Sequence, residues 1–211
     1  LFVCRQFEVF IRVKNILENI IRVMTPAITT INNVYKPTFF RLESYADKSA
    51  FHTIKHSASN KCYDTIDTQI LELLACRNPS LDKAKILSSG MVDGYLREKN
   101  KTLETYGVWV YYPWKNHLVH TLDEEDFIEV RTNRNKYKIT QDEQELLRTK
   151  IIGIAGLSVG RAVATTMALE RICGEIRLAD FDELELSNLN RINAPLSDIG
   201  ISKTVSAARE I

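Results

Sequence analysis

The residues best placed to do chemistry lie between positions 156 and 203. Gly156-Leu157-Ser158-Val159-Gly160 is a glycine turn. Asp180 follows Gly156 by roughly 24 residues, near the ~20 expected of an acid that accepts a ribose hydroxyl. Glycine suits such a turn because it has no Cβ to hold phosphate away from the backbone. Beyond the acid, Ser187-Asn188-Leu189-Asn190-Arg191 and Gly200-Ile201-Ser202-Lys203 bring an amide, a guanidinium and an ammonium. Arg191 offers a forked donor and Lys203 a compact charge. Three nitrogen-bearing groups just past a ribose acid suit a triphosphate better than a dinucleotide.

The elements that must position these groups read as strand, turn, helix, strand. Ile151-Ile152-Gly153-Ile154-Ala155 is a continuous small and apolar run, as expected of a parallel strand buried on both faces. A helix from Arg161 to Arg171 should turn Val163, Ala164, Met167 and Ala168 toward the sheet and present its N-terminus to an anion. Ile176-Arg177-Leu178-Ala179 is the second strand, ending at Asp180. The turn also has the Gly-x-Ser-x-Gly form of a hydrolase nucleophile elbow, which would make Ser158 a nucleophile. That chemistry expects a histidine further along, and none follows His120.

Upstream, Thr140-Gln141-Asp142-Glu143 fits a capping box for a helix through Leu147. The basic stretch Arg131 to Lys138 reads as a boundary. Between Asn60 and Arg77, Ile66, Ile70, Leu73, Leu74 and Cys76 share one face of a helix that should stop near Asn78-Pro79. Ser80-Leu81-Asp82 should cap a second helix, with Ile86, Leu87, Met91, Tyr95 and Leu96 on its apolar side. Asn100 to Thr105 is a polar loop. Gly107 to Tyr112 and His117 to Leu122 read as strands joined at Lys115-Asn116, their aromatic residues more suited to core packing than to a ligand surface. Leu1 to Met24 carries apolar residues at helical spacing, but its charges bar it from crossing a bilayer, and it lacks a signal-peptide cleavage site. Met24-Thr25-Pro26 suits a translation start, so residues 1–23 are expected to be upstream sequence outside the natural fold.

Composition narrows the function classes. The chain is 45% hydrophobic and 26% charged with net charge +1, ordinary for a globular protein. Such a balance provides no field suited to a nucleic-acid backbone or an anionic membrane. Cys4, Cys62, Cys76 and Cys173 are far apart and form no Cys-x-x-Cys pair, which points to a reduced, cytoplasmic setting. His52 with His56, and His117 with His120, invite a metal reading. Without cysteine neighbours or a His-Glu-x-x-His arrangement, no metal site is expected.

At Asp180-Phe181-Asp182 and Leu186-Ser187-Asn188-Leu189-Asn190-Arg191 the chain resembles the ThiF/MoeB/HesA family, relatives of ubiquitin-activating enzymes, over roughly residues 131–211. The resemblance implies ATP-dependent adenylation of the C-terminal carboxylate of a ubiquitin-like or sulfur-carrier protein. It implies that Asp180 holds the ATP ribose and that Asn188, Arg191 and Lys203 bind phosphates. It also implies that Arg134, the second arginine of Arg131-x-x-Arg134, reaches the ATP of a neighbouring subunit in a homodimer. Gly156, Ser158 and Gly160 would line the nucleotide turn, although the family's Gly-x-Gly-Gly-x-Gly is here Gly-x-Ser-x-Gly, which shifts the register by up to one residue.

ATP and Mg²⁺ are the implied cofactors, with the metal-positioning Asp expected beyond residue 211 and the chain itself expected to be a fragment. Exposed apolar helix surface should follow, because two strands cannot shield a parallel sheet on both faces. The fold expected is α/β. An incomplete Rossmann-like unit, its first βαβ, occupies 131–211 after a mixed α+β region over 24–130. Two competing readings use the same fold: an NAD(P)- or FAD-binding oxidoreductase, and a non-catalytic interaction protein. The residues name no particular carrier protein.

Overall fold

The computed structural model describes residues 33–211. The expectations for Leu1 to Met24, and Cys4 with them, lie outside the described residues. The chain is a mixed α/β protein that divides into two units, residues Pro37–Asn135 and, among the described residues, 33–36 with 136–211.

The Pro37–Asn135 unit is built on a four-stranded sheet ordered β1-β3-β4-β2. Its strands are β1 (Thr38–Phe40), β2 (Lys61–Asp64), β3 (Val108–Tyr112) and β4 (His117–Thr121). β3 pairs antiparallel with β1 and β4, whereas β2 joins β4 in parallel. Val108, Trp109 and Val110 are all buried, so the centre of β3 is covered on both faces. Helix α1 (Tyr45–Lys55) brings Phe51 against Trp109 and Leu118. Helices α2 (Ile66–Arg77), α3 (Lys83–Ser88) and α4 (Met91–Glu98) build a second cluster around Ile70, Leu73, Ile86 and Tyr106.

Three details depart from the sequence reading. The segment ahead of α2 is not helical: Lys61–Asp64 is strand β2, and all four of its residues are exposed. A strand without a buried face leaves no period of two to read. The helix expected after Asp82 is two helices, because Gly90 takes a left-handed φ of +70° between them. Asp82 does cap the first, accepting from the Lys85 amide. That break turns Leu87 outward, 60% exposed, while Ile86, Tyr95 and Leu96 remain buried.

Helix α5 (Glu124–Thr132) closes this unit and carries Asp126, which is 5% exposed. The hydroxyls of Tyr95 and Tyr106 both donate to Asp126 Oδ2, and Arg77 Nη2 donates to its Oδ1 at 2.8 Å. Burial alone would raise the Asp126 carboxyl. The two tyrosine hydroxyls, with Lys99 and Arg77, outweigh it and hold the group below the usual carboxylate range. Burial, reinforced by bonding to Asp126, pushes the Tyr95 hydroxyl up to about 12.

The second unit contains α6 (Gln141–Arg148), β5 (Ile151–Ala155), α7 (Gly160–Glu170), β6 (Glu175–Ala179) and α8 (Lys203–Glu210). β5 and β6 pair in parallel across α7. The capping box is formed: Thr140 Oγ1 accepts from the Glu143 amide, and Glu143 accepts from the Thr140 amide at 2.7 Å. Thr140→Ala should therefore cost about 1 kcal/mol, read as a lowered urea midpoint with an unchanged m-value.

α7 and α8 cover one face of the pair, where Leu157, Ala164, Ala168, Ile176, Leu178 and Ala207 form the core. The expectation of a strand buried on both faces fails for β5. Ile152 and Ile154 join that core, but Ile151 is 55% exposed on the other side. Val163, placed on the sheet side of α7 by its spacing, is exposed instead. Val159 and Leu169 are exposed too, so apolar surface does remain open on this helix. Gly174 is required by a close approach, since a Cβ there would lie 1.9 Å from the Arg148 carbonyl oxygen.

Candidate functional site

The end of β6 and the glycine turn are tied together by Asp180. Its Oδ2 accepts from the Leu157 amide at 2.6 Å, and its Oδ1 accepts from the Asp182 amide at 2.9 Å. The Gly156 amide donates to the Ala179 carbonyl at 2.8 Å, so the turn begins fixed against the end of β6. Gly156 has φ +82°, a conformation that side-chain-bearing residues adopt poorly, and nothing occupies the space where its Cβ would stand. Gly160 serves packing: a Cβ there would come within 2.7 Å of Ile154 Cγ2. The amides of Ser158 and Val159, just before α7, have no acceptor among the described residues. Free amides ahead of a helix N-terminus are where an anion is favoured.

Lys203 joins the same chain of contacts. Its backbone amide donates to the Asp182 carbonyl at 3.0 Å, and its Nζ donates to Asp182 Oδ2 at 2.7 Å. A bridge between Glu183 and Ser202 and paired bonds between Leu184 and the Gly200–Ile201 backbone hold this return segment in register. Gly200 makes the turn with φ +82°. Lys203 is 4% exposed, whereas the carboxylate that holds it is half exposed. An ammonium has three donors, and this one has one acceptor among the described residues.

Asn188 lies in a 3₁₀ turn, Leu186–Asn190, and is also buried. Its Oδ1 accepts from the Glu185 amide at 3.2 Å, which orients the amide and leaves Nδ2 without an acceptor among the described residues. Arg191 is exposed and donates Nη1 to Asn190 Oδ1 at 2.9 Å, apart from the chain that joins Asp180 to Lys203. Arg134 is exposed in the 3₁₀ turn Asn133–Asn135 of the other unit. Ser158 is half-buried in the turn, and all four histidines belong to the Pro37–Asn135 unit. Within its own unit Ser158 therefore has no imidazole to activate it.

The histidine pairs have structural surroundings. His120 is fully buried, stacked on Trp109 at 4.1 Å, and bonded to Asp64 and the Tyr106 carbonyl. His52 and His56 stack on each other at 6.0 Å. Among the described residues no cluster of three or more His, Cys, Asp or Glu could hold a metal ion.

Sequence reasoning passed over Asp182, which holds both ends of Lys203, and Arg161, which is buried at the first turn of α7. The second carboxylate of Asp-Phe-Asp was a visible signal for Asp182. Nothing in the linear sequence marked Arg161, because its partners lie 45 and 49 residues away on α8.

The glycine turn is thus bonded to a β-end carboxylate, with a buried lysine one contact beyond. Residues 131–211 match the model of the ThiF family. That segment is of the ThiF family. The match begins in the last turn of α5 and runs through the ThiF segment's β5, α7, β6 and α8. The chain is also 48% identical over 109 residues to "Uncharacterized protein MT1398" of Mycobacterium tuberculosis, an alignment covering 52% of this chain and 15% of that protein. The chain thus spans a small part of the length of the curated relative it matches. No solved structure matches the chain significantly. Among the described residues no helix is long and apolar enough to cross a membrane.

Proposed function

We propose that the ThiF segment binds ATP and adenylates the C-terminal carboxylate of a small ubiquitin-like or sulfur-carrier protein. The observation that carries this reading is Lys203, a buried ammonium with two donors unused among the described residues, one contact from the carboxylate that grips the glycine turn. A buried cation with spare donors is costly without an anion to share it. Asp180 fits the ribose role: each oxygen accepts one backbone N–H and keeps a lone pair for a hydroxyl.

The reaction suits these groups. The carrier's carboxylate is already ionised, so it attacks the α-phosphorus without a general base. A new carboxyl C–O–P linkage forms, the bond between the α-phosphorus and the bridging oxygen breaks, and pyrophosphate leaves with its charge. The enzyme must hold the reactants in line and neutralise that charge. Lys203, Arg191, the Asn188 amide and the free amides of Ser158 and Val159 are the donors assigned to the phosphates. Arg134 is assigned to the ATP of a second copy, which makes the working form a homodimer. Mg²⁺ would accompany the triphosphate, and this reading assigns it no ligand among the described residues. The cytoplasm, where ATP and carrier proteins meet, is the compartment that fits.

Calorimetry with ATP–Mg²⁺, NAD⁺ and FAD tests the reading. ATP should bind tightest, and Arg191→Ala should weaken it. NAD⁺ binding more tightly, and unaffected by Arg191→Ala, would favour an oxidoreductase. A folded protein that binds ATP but gives no pyrophosphate exchange with any carrier would favour an interaction role.

A further inference from the structure

We infer that Arg161 is a positioning residue that fixes the glycine turn relative to Lys203, without itself touching nucleotide. The inference rests on the nucleotide reading above for its consequence and on a buried polar network for its cause.

Arg161 follows Gly160 directly, at the start of α7, and its side chain is 7% exposed. Its Nε donates to Glu210 Oε2 at 2.6 Å, its Nη1 donates to Ser206 Oγ at 2.9 Å, and its Nη2 reaches the Ser206 carbonyl at 3.5 Å. Ser206 Oγ in turn donates to Asp198 Oδ2 at 2.6 Å. Asp198 lies in the 3₁₀ turn Leu196–Asp198, and Arg209 Nη1 stands 3.9 Å from its Oδ1. Arg209 Nε in turn donates to the Val34 carbonyl at 2.8 Å.

Three pieces of chain are thereby joined: the helix that begins at the glycine turn, the turn before Gly200, and the helix that begins at Lys203. Two cations face two carboxylates, so the cluster carries no net charge to attract or repel a phosphate. A second positive group was not needed at a helix N-terminus that already favours anions. What the fork of Arg161 adds is direction. A planar guanidinium engaging Ser206 through Nη1 and Nη2 and Glu210, one turn along α8, through Nε and Nη2 resists rotation of one helix against the other, which a lysine cannot do. A buried polar network of this kind rigidifies the elements it joins. The distance between the Ser158 and Val159 amides and the Lys203 ammonium is then set by contacts remote from both.

The test uses the whole chain with Arg161→Lys and Ser206→Ala, titrated calorimetrically with ATP–Mg²⁺ and with adenosine. Arg161→Lys should weaken ATP by about tenfold or more and leave adenosine within about twofold, since only a ligand with phosphates spans the turn and Lys203. Ser206→Ala should move ATP in the same direction by less. Unchanged ATP affinity in Arg161→Lys overturns the inference, and so does an equal loss of adenosine, which marks a merely structural role. If Arg161→Lys does not fold, Ser206→Ala carries the same two readouts.

Amide hydrogen exchange in the absence of ligand separates this inference from the nucleotide reading. If the unaltered chain binds no ATP, that reading fails by itself. Faster exchange of the Leu157 amide together with the amides of 206–208 in Arg161→Lys would still sustain the coupling. Unchanged exchange at both places would remove it.

Discussion

Lys203→Met should weaken ATP–Mg²⁺ binding roughly 10- to 150-fold, the loss of a charge-assisted bond of about 1.5–3 kcal/mol. Methionine matches the length and flexibility of the lysine stem, so α8 keeps the packing that buries this position. Asp182 loses its partner but is half exposed and can be hydrated, which confines the cost to the nucleotide. Calorimetry and a thermal melt on one preparation check this. A fall in affinity with a nearly unchanged melting temperature is the expected pair of results. A large drop in melting temperature with ATP affinity intact would mean that Lys203 only supports the return segment against β6.

Asp126→Ala should destabilise the Pro37–Asn135 unit by about 3 kcal/mol, a large share of the 5–15 kcal/mol typical of a domain. Two buried hydroxyls and one guanidinium converge on this carboxylate from α4, the loop before β3 and α2. Arg77 keeps Glu129, which it contacts at 2.7 Å, so its loss is partial. Tyr95 and Tyr106 can bond each other at 3.1 Å, but one buried donor then loses its acceptor. Asp126→Asn retains one acceptor oxygen and should cost about half as much. The sign of the pH dependence follows from the lowered carboxyl. Its contribution is fully present above the unfolded value near 4 and is lost as the pH falls through the still lower folded value. Urea denaturation of both proteins between neutral pH and about pH 3 checks this, because the asparagine variant should lack that part of the acid loss.

Both expectations depend on contacts that differ in how far they could be read beforehand. The strand–turn–helix–strand order around Gly156 was legible because it is local. Apolar runs, glycines and the acid at the strand end follow one another within a single βαβ unit. The Thr140 capping box and the Asp82 cap were legible for the same reason, since each closes within three residues. β2 escaped notice because all four of its residues are exposed, β1 because three residues are too few to show an alternation, and Gly90 because one left-handed residue can split an otherwise continuous apolar face. Val163 was misplaced because the sheet has two strands, and α7 buries only its Ala164 and Ala168 side against them.

The sequence by itself determined the order of elements around the glycine turn and put forward the groups proposed to face a nucleotide: the turn itself, an acid after β6, then Asn188, Arg191 and Lys203. Helix caps, turn residues and strand composition act over a few positions, so linear order is enough to specify them. Only the tertiary structure decided that Asp182 secures Lys203 at both its amide and its ammonium, that Asp126 gathers two tyrosines, and that Arg161 reaches Ser206 and Glu210. Those partners are brought together by burial of apolar faces on separate helices. A hydrogen bond spanning 45 residues leaves no periodic mark on the chain that makes it.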